Sequence, residues 1–179
     1  MVRFFACAVI ILINYVLQTT VWAQFSILGV VPDTALVLII SYGILRGDIE
    51  GALFGLSAGF LQDIFSGIVI GLYALLGFLV GYFSGSPLRS FFKNNYFLPL
   101  LLVVCVSFLH QFLIYVATML FMGQLDFVHY FATVILPKTI YTASVAVPIY
   151  VAFYYLNLKI EAYEFGKRNL FEEPDKEDF

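Results

Sequence analysis

The sequence predicts an all-α protein that crosses a membrane six times and keeps both termini in the cytoplasm. Three observations carry this reading. Of the 179 residues 62% are apolar and only 12% charged; the apolar residues gather into runs of membrane-crossing length; and the basic residues fall almost wholly on one side of the resulting topology. A chain this short has too much surface for its volume to hide so many Phe, Leu, Ile and Val side chains from solvent. Much of its exterior must therefore face lipid.

A helix crosses the ~30 Å hydrocarbon layer with about 20 residues, at a rise of ~1.5 Å each. Charged or turn-rich breaks divide the chain into six such segments, 4–23, 28–45, 50–65, 67–85, 97–122 and 132–156. The first lies in "MVRFFACAVIILINYVLQTTVWAQ", where Arg3 and Val21-Trp22-Ala23 loosely imitate a cleavable signal. Its apolar run exceeds the ~7–15 residues of a signal-peptide core and further spans follow, so it reads as an uncleaved helix. The third and fourth segments meet at "FSGIVIG", the weakest boundary. One unbroken helix over 50–85 would be about 54 Å long, so a bent or hairpinned pair is expected.

Charge placement orients the segments. With a cytoplasmic N-terminus, Arg3, Arg46, Arg89, Lys93, Lys159, Lys167, Arg168 and Lys176 lie inside, and Lys138 alone of the nine basic residues lies outside. The positive-inside rule thus supports an even number of spans. The composition changes after residue 157, dividing a membrane domain (1–157) from a charged cytoplasmic tail (158–179). Seven of the twelve acidic residues and four of the nine basic ones fall in that tail. It reads as an interfacial turn or two followed by a solvated end, either a solubilising tail or a docking segment.

Glycine recurs at 43, 47, 51, 55 and 59, then at 67 and 71 beyond Asp63, and again at 77, 81 and 85. In lipid, helices associate through close van der Waals contact and weak hydrogen bonds, so bare backbone at every fourth position marks a packing face. Each four-residue step advances about 400°, so the stripe winds round the helix, and one straight partner cannot cover it all. Gly51, Gly55, Gly59, Asp63, Gly67 and Gly71 are therefore the candidate packing or partner-binding residues. Asp63 lies on the same stripe near the outer end of its helix, where an ionised side chain calls for a partner. Lys138 is the partner expected. Asn14, Gln18, His110 and Gln111 read as hydrogen bonds between helices or as the lining of a ligand pocket. Cys7 and Cys105 read as small buried hydrophobes.

No enzymatic signature occurs, neither G-x-S-x-G, H-E-x-x-H, a phosphate-cradling G-x-x-x-x-G-K nor a paired-carboxylate motif. No catalytic activity, cofactor, metal or nucleic-acid partner is expected.

Residues 30–85 resemble the MreD family of rod shape-determining membrane proteins. The matching features are Pro32-Asp33 opening the second helix, Arg46 in the following turn, Gly51, Gly55 and Gly59 before Asp63, and Gly67 with Gly71-Leu72 after it. The resemblance implies a non-catalytic, multi-pass component of the bacterial inner membrane, part of the elongation machinery that organises peptidoglycan synthesis in rod-shaped cells. It implies MreC as direct partner, through its transmembrane segment, and MreB, RodA and the transpeptidase partner of RodA as indirect ones, besides membrane lipid. It also implies a fold like that of the substrate-binding subunits of energy-coupling-factor transporters. An alternative function follows from that likeness, a vitamin-binding transporter subunit. Such a subunit calls for a polar pocket and an A-x-x-x-A motif on the first helix, and there Ala6 and Ala8 are two apart with the next alanine at Ala23.

Overall fold

The computed structural model describes residues 2–26, 29–66, 70–85, 97–123 and 126–172. Its elements are α1 (Val2–Gln24), α2 (Thr34–Arg46), α3 (Asp48–Ser66), α4 (Leu72–Gly85) and α5 (Phe97–Met122). The last rod begins as α6 (Phe127–Tyr130), passes through a π-helical turn (Phe131–Ile135) and continues as α7 (Leu136–Glu172). Among the described residues there is no strand. Three stretches, Ala6–Gln24, Leu100–Leu120 and Phe127–Asn157, are long and apolar enough to cross a membrane, and α2 and α4 are shorter apolar helices.

α2 is the centre of the bundle. Its residues from Thr34 to Ile44 are buried on every side, as befits a helix that is apolar all round. One face packs Leu36, Val37, Ile40 and Ile44 against Val103 of α5 and Ala146 of α7. Another packs Leu38, Ile39 and Tyr42 against Phe54 and Ala58 of α3, with Tyr42 stacked on Phe54 at 4.5 Å between ring centroids.

Polar contacts at both ends fix the directions. Cys7 Sγ donates to Tyr42 Oη (3.2 Å) and Thr34 Oγ1 to Gln18 Oε1 (3.2 Å), so α1 runs antiparallel to α2. Asp33 N donates to Thr142 Oγ1 (3.0 Å) and Arg46 Nε to Asn157 Oδ1 (2.8 Å), so α7 runs parallel to α2.

Several boundaries differ from expectation. The second segment becomes helical at Thr34 rather than at 28, because Pro32 biases the residue before it towards extended backbone and Asp33 serves as the N-cap. The sixth begins earlier, at Phe127, and its helix continues to Glu172, well past the compositional change at 157. A fall in hydropathy ends an apolar run, but Glu, Lys and Arg are good helix formers and do not end a helix. The third and fourth segments form a hairpin of two helices. Cys105 is exposed on the outer surface of α5 rather than buried, Cys7 is half-buried, and both thiols are free.

Candidate functional site

The hairpin of α3 and α4 is built on missing side chains. α2 turns into α3 through the single residue Gly47, whose φ of +111° and ψ of −178° belong to a region that is essentially glycine-only. From there the two backbones lie in direct contact. A Cβ on Gly51 would stand 2.6 Å from the Gly81 carbonyl oxygen. One on Gly55 would fall on the Gly77 carbonyl, one on Gly77 on that of Gly55, and one on Gly59 on that of Tyr73. Gly85 closes the series against Gly47 and Asp48. The contacts pair ascending residues of α3 with descending residues of α4, an antiparallel register advancing by one turn at a time.

α4 lies against Gly51, Gly55 and Gly59. A row of i, i+4 positions is inclined to the helix axis, and a neighbour that crosses at an angle follows it. α2 is the second neighbour: a Cβ on Gly51 would also meet Gly43 Cα at 2.7 Å, and one on Gly55 the Ile39 side chain at 3.1 Å. These glycines are thus occupied within the chain. Gly71 has a different role from the others. Nothing lies within 4 Å of where its Cβ would be, and its φ of +94° marks it as a turn residue leading into α4. Gly67 lies outside the described residues.

Asp63 ends the stripe where α4 begins. Its Oδ1 accepts a hydrogen bond from Tyr73 N (3.0 Å) and its Oδ2 one from Ala74 N (2.9 Å). The first N–H groups of a helix have no partner in the helix itself, and the helix dipole favours an anion there. Asp63 is only 2% exposed, so the buried carboxylate and the buried amides satisfy each other. The glycines let the helices approach closely enough for a short Asp side chain to span the gap.

The expected ion pair of Asp63 with Lys138 is not formed. Lys138 Nζ instead stands 3.9 Å from Asp33 Oδ2. Two carboxylates occupy the same end of the bundle, and sequence could not tell which one the lysine meets. The backbone of α4 takes Asp63 and leaves Asp33 for the cation. Asp33 is itself the N-cap of α2, with Oδ1 accepting from Leu36 N at 3.1 Å, and Pro32 before it is fully buried. His110 Nδ1 approaches the same Asp33 Oδ2 at 3.8 Å. Asp33 thus ties α2, α5 and α7 together, a role beyond the helix start read from the sequence. His110 and Gln111 were read as polar contacts between helices, and the signal missed was Ser107, three and four residues before them on the same face of an otherwise apolar helix.

Gln18 joins α1 to α2 through Thr34, in keeping with a hydrogen-bonding role, while Asn14 lines a narrow gap between α1 and α3 together with Gln62. The larger cavities lie elsewhere. One of about 340 Å³ is lined by Ile40, Val103, Ala146, Val151 and Tyr154 among others; one of about 380 Å³ lies between α1, α2 and α3 against Ile11, Tyr42, Leu53 and Phe54. Both are mainly apolar and aromatic, unlike the polar pocket a vitamin-binding subunit calls for. Among the described residues no group of His, Cys, Asp and Glu is placed to hold a metal ion.

Neither the curated proteins nor the solved structures contain a match to this chain. The model of the family described as rod shape-determining protein MreD, however, matches residues 1–160, nearly the whole of the helical bundle and well beyond the glycine-rich stretch. The chain belongs to the MreD family of rod shape-determining membrane proteins.

Proposed function

We propose that this protein is a non-catalytic scaffold of the bacterial elongation machinery, embedded in the inner membrane by six spans with both termini and the tail from residue 158 in the cytoplasm. The observation that carries the reading is the family match over residues 1–160. In this reading it receives the transmembrane segment of MreC and, through MreC, works with MreB, RodA and the transpeptidase partner of RodA to organise peptidoglycan synthesis along the cell cylinder.

The hairpin supports a scaffold role by shaping a surface rather than by offering its glycines directly. Because Gly51, Gly55 and Gly59 are spent on α4, the partner helix meets faces that the hairpin positions. The opposite side of α3 presents Leu53, Leu56, Phe60 and Ile64, all exposed. α1 likewise leaves Leu12, Ile13, Val16 and Leu17 exposed. In lipid such residues suit either acyl chains or a partner helix.

The test replaces the resident MreD-family protein of a rod-shaped bacterium with this chain, tagged for purification. Rod shape and co-purification of MreC are expected with the unaltered protein, and spherical cells with MreC lost are expected for the Gly55→Leu and Gly59→Leu variants. Variants that insert normally and retain MreC at the unaltered level would defeat the assignment of the hairpin to that interface.

A further inference from the structure

Three polar atoms on α5 have no hydrogen-bond partner among the described residues, Ser107 Oγ, His110 Nδ1 and Gln111 Nε2, and the second of them faces Asp33. Their spacing puts them on one face of the helix. All three residues are buried, with exposures of 0%, 5% and 1% respectively. A buried polar group left without a partner costs about 1–3 kcal/mol. Three of them on one face would consume a large part of the stability of an ordinary domain.

That face meets a second feature of the same centre. His110 Nδ1 and Lys138 Nζ stand 3.8 and 3.9 Å from one carboxylate oxygen, Asp33 Oδ2. The lysine separation is within reach of charge attraction, but both exceed the roughly 2.7–3.2 Å of a direct N–H···O bond. The other oxygen, Oδ1, already accepts from Leu36 N. Polar groups held just beyond contact are spaced for a molecule that bonds to each of them.

We propose that this centre is an internal hydration site, where a small group of ordered waters links Asp33 Oδ2, His110 Nδ1 and Lys138 Nζ with Ser107 and Gln111. Water suits the groups present better than an ion does. Asp33 and Lys138 carry opposite charges, so neither a cation nor an anion gains from the pair as a whole. The centre offers donors in the ammonium and the Gln111 amide and acceptors in the carboxylate, and a buried water typically makes about three hydrogen bonds to such a mixture. The side chain of Lys138 is 22% exposed against 3% for Asp33, so the site opens outward along the lysine. At this end α2, α5 and α7 are therefore joined through water, whereas at the other end Arg46 bonds Asn157 directly at 2.8 Å.

The two histidines, His110 and His129, make the site observable. His129→Gln leaves His110 as a single reporter, and NMR of histidine-labelled protein in lipid nanodiscs measures magnetisation transfer from water to its imidazole. Transfer to His110 is the expected result, and its absence would overturn the proposal. A second measurement depends on sign. Gln111→Leu removes hydrogen bonds to held water and should lower the melting temperature of the purified protein. A raised melting temperature, the consequence of relieving an amide buried dry, would overturn the proposal equally.

Discussion

The two sides of α2 are held by opposite means. Towards α3 and α4 the contact is made by taking side chains away, so that Gly43 of α2 meets Gly51 of α3 and Gly81 of α4 at backbone distance, beside the α3–α4 contact itself. Towards α5 and α7 it is made by adding polar ones, with Asp33, His110, Lys138 and Thr142 set among the apolar residues of the core. Lipid tails are as apolar as leucine, so burying leucine against leucine gives little reason for helices to associate. Close backbone approach and hydrogen bonding in a low dielectric remain, and this protein devotes one side of its central helix to each. Asp63 belongs to both, a charge placed where the glycine stripe ends and served by backbone amides.

The contrast predicts unequal sensitivity. The largest effect is expected from side chains added inside the hairpin. Gly77→Leu, on α4, should destabilise as severely as any substitution on α3, by about 3 kcal/mol or more, since neither backbone can retreat without losing the other contacts. Thermal unfolding in detergent should show the loss, and a near-normal transition would mean that the helices are not in contact there. Next comes the cap. Asp63→Ala strands two buried amides and should cost roughly 2–3 kcal/mol, while Asp63→Asn, which retains one acceptor oxygen, should recover part of it. Equal losses in the two variants would show that charge, not hydrogen bonding, is what α4 requires.

Smaller effects separate turn from contact and one acid from the other. Gly71→Ala should cost only about 1–2 kcal/mol, the strain of a positive φ in open space, and a loss as large as that at Gly77 would place Gly71 in the packing face. A double-mutant cycle between Asp33→Asn and Lys138→Met should reveal coupling of about 1 kcal/mol, whereas Asp63→Asn with Lys138→Met should be additive within about 0.5 kcal/mol. The reverse pattern would restore the pairing that the sequence suggested.

What could be read from the sequence follows from how local each signal is. The helical runs, the break at "RGDIEG" and the bent or hairpinned pair at "FSGIVIG" depend on neighbours in the chain, and each was visible, whereas Pro32-Asp33 stood out only through the family resemblance. The glycine stripe was visible as a packing face, but its partner was not, because spacing along one helix carries no information about which helix crosses it. The same limit assigned Lys138 to the wrong carboxylate. Asp33 and Asp63 are equally plausible by position, and the choice depends on two amides at Tyr73 and Ala74 that no side-chain pattern marks. Helix ends governed by hydropathy alone, at 28 and at 156, were the least well placed, since the helix continues wherever propensity permits.

The central claim is that the glycine stripe acts inside this chain, and thermal unfolding of purified Gly55→Leu in the absence of any partner tests it most directly. A markedly lowered melting temperature is the predicted result, because the Leu side chain must displace the backbone of α4 at Gly77. An unchanged melting temperature together with loss of MreC binding would contradict it, and would place that face against another protein.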